Sequence, residues 1–178
     1  MQDACVTYES RDGIATITLD RPAKRNAMTA DMCEALRSAW ERLNRSEDRV
    51  GLLCARGDTF CAGADLSAPP ERFWRAVPGV GIDVDKPLIA VVQGPVVGMA
   101  LAILAYCDLC VAADTARFLY PEARVGVAKG LTRQTLPMSP VEAMYRTTTT
   151  VDKVLHSADA QEGLIALREK RPPWFTGR

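Results

Sequence analysis

The first apolar and polar positions of the chain alternate in a way that predicts a β-hairpin. Residues 14–19 (IATITL) place three apolar side chains on one face and two threonines on the other, which is the pattern of a strand with one wetter face. Asp12-Gly13, immediately before this run, is a turn signal. Residues 6–9 are therefore expected to pair with 14–19 as the antiparallel partner.

The apolar positions that follow are spaced as in an amphipathic helix. Large apolar side chains recur every three or four residues and form one stripe: Met32, Leu36, Trp40 and Leu43. Thr29 precedes the stripe and is a residue type that caps helices. Asp31 would lie in the first turn, where a negative charge is favourable. The pattern predicts a helix that begins directly after Thr29.

Short apolar runs further along the chain indicate more strands. Residues 50–55 and 88–92 have so few polar positions that we expect strands covered on both faces, the usual state of parallel sheets. Residues 109–113 form another short apolar strand, and residues 97–106 before it are long enough for a buried helix. Alternating strands and helices predict an α/β domain.

The pattern weakens after residue 127. Residues 128–155 include two prolines and a run of four threonines, which are poor helix formers. A last helix is predicted over 157–170, with Ser157 as its cap and Pro172-Pro173 after its end. These observations divide the chain into a core at 1–127, a shortened or irregular connection at 128–155, and a C-terminal helix and tail at 156–178.

The composition excludes several classes of partner. The 178 residues carry 22 basic and 22 acidic side chains, so no basic excess is present to attract nucleic acid. No apolar run reaches the roughly eighteen residues that a membrane-spanning helix needs. The first residues lack the basic and apolar stretches of a secretory signal. We therefore expect a cytoplasmic protein that binds neither nucleic acid nor membrane.

The six cysteines lie in apolar surroundings and are expected to be reduced, structural thiols. Cys107 and Cys110 have the CxxC spacing, but no second pair completes a zinc site, and the only histidine is the distant His156. A redox role would need an exposed thiol of low pKa at a helix start, whereas Cys107 follows a predicted helix. No metal site is expected.

Three segments contain groups that can act on a substrate. The small residues of 60–66 (FCAGADL) let the backbone approach a ligand closely. Residues 93–100 (QGPVVGMA) lead into a helix whose first amides lack internal partners and can donate to a developing negative charge. Glu122 follows the strand 109–113, near an apolar pocket that would raise the pKa of its carboxyl. Each segment alone is better explained as an ordinary turn or a surface glutamate.

Together these segments resemble the enoyl-CoA hydratase/isomerase (crotonase) family. The matching stretches are IATITLDRPAKRNAM (14–28), TFCAGADL (59–66), then KPLIAVVQGP, CDLCVAADTARF and YPEARVGV within 86–127, and the tail EGLIALREKRPPWFTGR (162–178). The resemblance implies an α/β spiral of ββα repeats that binds an acyl-CoA thioester. The C-terminal helical region would be shortened by an apparent internal deletion. Because the family forms trimers and paired trimers, a homo-oligomer is implied.

The resemblance also implies the residues of the site. The main-chain amides of Ala64 and Met99 would form an oxyanion hole, and Glu122 would be the acid/base. The side chain of Met99 would occupy space that the family usually leaves open. Coenzyme A would enter as part of the substrate, with no separate cofactor. Its contacts would come from Lys24, Asn26, Ala27, Ala62, Gly63, Asp65, Leu66 and Gly98.

One departure from the family pattern bears on the reaction. Hydratases of the family use a second glutamate to orient water, and the matching position here is Ala102, which can neither accept a proton nor hold water. A single glutamate can still move a proton between C2 and C4, so the leading hypothesis is an enoyl-CoA isomerase of fatty-acid or related acyl-CoA metabolism. The alternatives are an inactive acyl-CoA-binding or assembly protein, and a hydratase-like lyase.

Overall fold

A computed structural model of the chain describes residues 5–120 and 157–176, which belong to two units, Met1–Leu119 and Tyr120–Arg178. The first unit opens with β1 (Val6–Arg11) and β2 (Ile14–Leu19), which pair antiparallel. Asp12 and Gly13 join them with positive φ angles of 54° and 78°, as a two-residue hairpin turn requires. The predicted hairpin is confirmed.

The helix α1 (Ala30–Arg45) has side chains at both ends that satisfy free main-chain groups. At its start, the Thr29 hydroxyl accepts a hydrogen bond from the Met32 amide at 3.2 Å. At its end, the Lys86 ammonium donates to the carbonyls of Leu43 and Ser46 at 2.7 and 2.6 Å, a favourable place for a positive charge. The predicted stripe is buried: Met32, Leu36, Trp40 and Leu43 are 0% exposed.

Five more strands follow in the first unit: β3 (Val50–Ala55), β4 (Leu88–Val92), β5 (Pro95–Val97), β6 (Leu109–Ala112) and β7 (Arg117–Leu119). Three of them join β1 and β2 in a larger sheet, and β5 and β7 form a second ladder. The larger sheet has the order β1-β2-β3-β4-β6, and all its pairs except β1–β2 are parallel. The predicted α/β class is confirmed.

The second ladder shows that the chain winds as a spiral. β5 pairs parallel with β7, and the same side of the fold carries parallel bridges between Met28 and Ala64 and between Cys61 and Val96. Each turn of the chain thus gives one strand to the sheet and one short segment to the second ladder. The predicted donors Ala64 and Met99 lie at or beside the second ladder.

The prediction that β3 and β4 are covered on both faces holds fully for only one face of each strand, because the other face is half-buried on β3 and includes one exposed residue on β4. One face packs under α1, since a methyl group added at Gly51 would lie 2.8 Å from a side-chain carbon of Leu43. On β4, alternate residues are buried but Val91 is 37% exposed. Leu109 and Val111 on β6 are 62% and 58% exposed. An apolar run alone does not reveal whether a second layer covers it.

The predicted helix at 97–106 is shorter than expected. It is α2 (Met99–Leu104), and residues 95–97 belong to β5 instead. Gly98 separates the two with φ 55° and ψ −116°, a conformation that residues with a Cβ rarely adopt. Val96 and Val97 are β-branched and favour the strand.

The second unit contains α3 (Ala158–Glu169), which confirms the predicted last helix. The guanidinium of Arg171 pairs with the Glu162 carboxylate, and the main-chain N–H of Trp174 donates to the same carboxylate at 2.8 Å. These contacts fold the tail back on the helix. The predicted connection at 128–155 lies outside the described residues. Among the residues that the structure describes, no helix is both long and apolar enough to cross a membrane.

Candidate active site

Two turns of the second ladder lie side by side. The first turn comprises residues 61–66, and the second turn comprises residues 94–99. The Cys61 amide donates to the Pro95 carbonyl at 3.2 Å, and the Val97 amide donates to the Cys61 carbonyl at 2.9 Å. Two segments separated by more than thirty residues in sequence are thereby held in register.

Gly63 allows the close approach of these turns. Its φ is +87°, and a methyl group added there would lie 3.2 Å from the Val97 carbonyl oxygen. That separation is tighter than an ordinary carbon–oxygen contact, and the backbone conformation itself disfavours a side chain. A glycine in the AG pair of the first turn is therefore a geometric requirement.

The amide of Ala64 faces away from its ladder partner. The Met28 amide donates to the Gly63 carbonyl at 2.8 Å, and the Asp65 amide donates to the Met28 carbonyl at 2.9 Å. In such a parallel bridge, the residue between the two bonded neighbours directs its own N–H to the opposite side.

The amide of Met99 is the first of α2 and has no carbonyl of a preceding helical turn to bind. Gly98 just before it is fixed on both sides, because its amide donates to the Leu119 carbonyl at 2.9 Å and its carbonyl accepts from the Leu101 amide at 2.9 Å. Among the described residues, neither the Ala64 nor the Met99 amide donates a hydrogen bond. Two free donors thus belong to adjacent turns, as an oxyanion hole needs.

Asn26 lies beside the first turn, and its side chain is fully engaged within the protein. It is 0% exposed. Its side-chain oxygen accepts from the Arg21 amide at 2.8 Å, and its NH₂ group donates to the carbonyls of Arg56 and Thr59 at 2.9 and 2.8 Å. A buried amide with all these partners is not available to a ligand.

Asp65 is also engaged within the protein. Its carboxylate accepts from the Ser67 hydroxyl at 2.6 Å and amide at 3.1 Å, and from the Arg21 guanidinium at 2.8 Å. These hydrogen bonds lower the pKa of the Asp65 carboxyl from 3.8 to about 2. The group is therefore a fixed negative charge that Arg21 neutralises, rather than a free acceptor.

The other predicted contact residues lie in or beside the first turn. Lys24 is exposed at the end of a short 3-10 turn, Pro22–Lys24. Ala27 and Ala62 are half-buried, and Leu66 is 45% exposed. Their assignment as ligand contacts stays a prediction.

The acid/base assignments can be placed only in part. Ala102 lies in α2, one turn after Gly98, and brings no carboxylate there. Glu122 lies outside the described residues. In the CxxC pair, burial raises the pKa of the Cys107 thiol to about 12, which is the opposite of what a redox nucleophile needs.

An open groove elsewhere in the first unit does not include the two free amides. It runs between β1, the start of α1 and residues 68–75. Its charged residues have both signs, so it offers no net attraction to the phosphates of coenzyme A. They are Asp20, Arg21, Asp31, Glu34, Glu71, Arg72 and Arg75.

Sequence reasoning missed Arg21, whose side chain joins the first turn to residues 24–28. Besides Asp65, its guanidinium donates to the Ala27 carbonyl at 2.9 Å. An arginine before a proline is unremarkable in a sequence, and its partner Asp65 is 44 positions away. No local pattern indicates such a pair.

Sequence comparison identifies relatives of this chain. The profile of the enoyl-CoA hydratase/isomerase family matches residues 9–150. Human enoyl-CoA delta isomerase 2 is 34% identical over 151 residues, which is 75% of this chain and 38% of that protein. The Mycobacterium tuberculosis enoyl-CoA hydratase EchA19 is 35% identical over 130 residues, or 65% of this chain and 49% of that protein. The chain thus spans about half the length or less of these relatives.

Solved structures show the same fold. An enoyl-CoA hydratase/isomerase from Pseudoalteromonas atlantica superposes with a TM-score of 0.81 at 23% identity, covering 97% of this chain and 100% of that one. A carnitinyl-CoA hydratase from Mycobacterium avium gives 0.77 at 23% identity, covering 98% and 99%. The predicted spiral fold is confirmed.

Proposed function

This chain belongs to the enoyl-CoA hydratase/isomerase (crotonase) family, and we propose that it binds an acyl-CoA thioester and shifts the double bond of a 3-enoyl-CoA to position 2. The thioester oxygen would accept hydrogen bonds from the amides of Ala64 and Met99. Glu122 would carry the proton between C2 and C4. The observation that supports this most is the adjacency of two turns that each contain one free main-chain donor.

Removal of a proton from C2 places negative charge on the thioester oxygen. A donor held by the fold does not have to reorient as that charge develops, and the loss of one such donor typically costs about 10²–10³ in turnover. The amides of Ala64 and Met99 are fixed by the bonds of their neighbours, so they satisfy this requirement without any side chain.

The charges around the first turn fit the phosphates of coenzyme A. Lys24 and Arg25 are exposed next to the first turn, where the Ala62 amide donates to the Arg25 carbonyl at 2.9 Å. Asp65 is already neutralised by Arg21. Lys24 and Arg25 therefore place two exposed basic side chains at this edge.

The choice of isomerisation over hydration depends on Ala102. Hydration needs a group that activates water, and alanine has none. A delta isomerase and a hydratase both match this chain at similar identity. The choice between the two reactions therefore depends on Ala102 and not on sequence similarity.

The test supplies a 3-enoyl-CoA to the chain and follows the absorbance of the conjugated 2-enoyl thioester. Glu122→Gln is expected to lower turnover by about 10²–10⁴-fold, the usual contribution of a general acid/base. The control is Glu47→Gln, an exposed glutamate at the end of α1 that should change nothing. Unchanged turnover in Glu122→Gln would contradict the proposed role. Faster addition of water to a 2-enoyl-CoA would favour the lyase instead.

A second candidate function is acyl-CoA binding without catalysis. The observation in its favour is the alanine at position 102, which brings no carboxylate to α2. Calorimetry with an unreactive acyl-CoA separates the two candidates, since binding without turnover supports the second. We further propose a homo-oligomer, which sedimentation velocity would detect as a trimer or hexamer.

A further inference from the structure

The Arg21 side chain is the only described side chain that donates to both residues 24–28 and the first turn. One nitrogen of its guanidinium donates to the Ala27 carbonyl at 2.9 Å and to the Asp65 carboxylate at 2.8 Å. The pair is partly shielded from solvent, with side-chain exposures of 28% for Arg21 and 14% for Asp65. A shielded pair with several hydrogen bonds holds its geometry better than an exposed one.

The pair acts on the residues that flank Ala64. The other carboxylate oxygen of Asp65 binds Ser67, which fixes the chain after the turn. The Asp65 amide donates to the Met28 carbonyl, and Met28 follows Ala27, the other acceptor of Arg21. Arg21 therefore closes a ring through residues 27, 28 and 65, and the ring includes the bridge that sets the direction of the Ala64 N–H.

We propose that Arg21 and Asp65 are positioning residues, whose ion pair aims the Ala64 amide at the thioester oxygen without touching the substrate. This inference rests on the proposed function, because it assigns that amide to the oxyanion. A misplacement of about 1 Å at a reacting centre can cost 10²-fold in rate. A loosened pair should therefore reduce transition-state stabilisation while ground-state binding through the rest of coenzyme A remains.

The experiment compares Asp65→Asn and Arg21→Gln with the unchanged chain. Each variant should lower kcat by about 10–100-fold with KM changed less than about threefold, and the double variant should be no worse than either single one. Arg21→Lys should show a smaller loss of kcat than Arg21→Gln, since lysine keeps the positive charge but lacks the planar guanidinium with its several donors. The control is Arg56→Gln, which removes the nearby Arg56–Asp20 pair of the same 2.8 Å length and should leave kcat unchanged.

Two ligands make the same comparison without turnover. A 3-oxoacyl-CoA has an acidic C2 and can lose a proton there to give an enolate oxygen, whereas an S-alkyl-CoA thioether lacks the carbonyl oxygen. The variants should lose affinity for the first about tenfold or more and keep their affinity for the second. Equal losses for both ligands, or an unchanged kcat, would overturn the inference.

Hydrogen exchange separates failure of the inference from failure of the proposed function. In Asp65→Asn, the amides of residues 60–67 should exchange faster while those of α1 keep their protection. If the unchanged chain binds neither ligand, the proposed function fails, and the exchange rates still report whether the pair orders the turn. If exchange at 60–67 is unchanged in Asp65→Asn, the positioning role is wrong even where the chain is active.

Discussion

The two turns that carry the free amides are held by different means. The first turn is held by side chains as well as by backbone bonds, because the Arg21–Asp65 pair ties it to Ala27 and Asn26 binds the Thr59 carbonyl just before it. The second turn takes its shape from the backbone. Gly94 and Gly98 have φ angles of 56° and 55°, and the Gly98 amide is bonded to β7. The first turn should therefore respond to polar substitutions and acid as well as to a methyl group added at Gly63, whereas the second should respond mainly to an added methyl group.

The largest expected effect concerns Gly94 in the second turn. A methyl group there would lie 1.9 Å from the Asp58 carbonyl oxygen, and φ is +56°. Gly94→Ala should lower the free energy of unfolding by about 3 kcal/mol or more, since overlap and backbone strain add. Equilibrium urea unfolding measures this. Gly79→Ala is the control, because its φ of +76° is similar but its nearest neighbour is the Tyr106 ring at 3.2 Å. Equal losses in the two variants would contradict the account.

Gly98→Ala should act on turnover more than on stability. A side chain at φ 55° and ψ −116° forces the backbone to rotate, and the Met99 amide rotates with it. The double-bond shift is expected to slow by about 10²-fold, the typical contribution of one oxyanion donor. Met99→Ala is the matched control: it keeps the donor and changes only the side chain, so kcat should stay within about threefold. If Met99→Ala were slow and Gly98→Ala normal, the side chain of Met99 and not its main-chain amide would be the group that matters.

Asn26→Ala tests the support of the first turn. It leaves the Arg21 amide and the carbonyls of Arg56 and Thr59 without their buried partner, which should lower the free energy of unfolding by about 2–3 kcal/mol. Asn44→Ala removes two solvent-exposed hydrogen bonds, one donated to the Asp83 carbonyl and one accepted from the Asp85 amide, and should cost less than about 0.5 kcal/mol. Thermal and urea unfolding of both variants measure the difference, and a neutral Asn26→Ala would remove this residue from the account.

The smallest expected effect is a dependence on acid. Because the pKa of Asp65 is lowered from 3.8 to about 2 in the folded chain, its contribution to stability is present above the ordinary pKa. It is lost as the pH falls from about 4 towards 2. The free energy of unfolding should fall over this window, and the fall should be shallower in Asp65→Asn. Parallel curves for the two proteins would show that the Arg21–Asp65 contacts do not favour the charged carboxylate.

Local patterns in the sequence predict the elements that local interactions stabilise. The hairpin of β1 and β2 follows from alternation and a turn signal, and α1 follows from its stripe and the cap at Thr29. The start of α2 was misplaced because β5 and β7 are only three residues long. Such strands exist through pairing with a distant segment, which no short window of sequence reveals.

In the candidate site, too, features with a local sequence signal could be predicted, and features that depend on distant partners could not. The free amides of Ala64 and Met99 lie at positions that the family resemblance indicates, and Gly63 and Gly98 have the conformations that such turns need. Arg21 could not be predicted because its partner is distant in sequence. The internal hydrogen bonds of Asn26 could not be predicted either, because a sequence does not distinguish an amide that binds substrate from one that binds three main-chain groups of its own chain.

A crystal structure of the chain with an unreactive acyl-CoA tests the central claim most directly. The account predicts that the thioester oxygen lies about 2.7–3.1 Å from the main-chain nitrogens of both Ala64 and Met99, the range expected of oxyanion donors. A thioester oxygen that binds only one of these amides, or that points away from both, would contradict it.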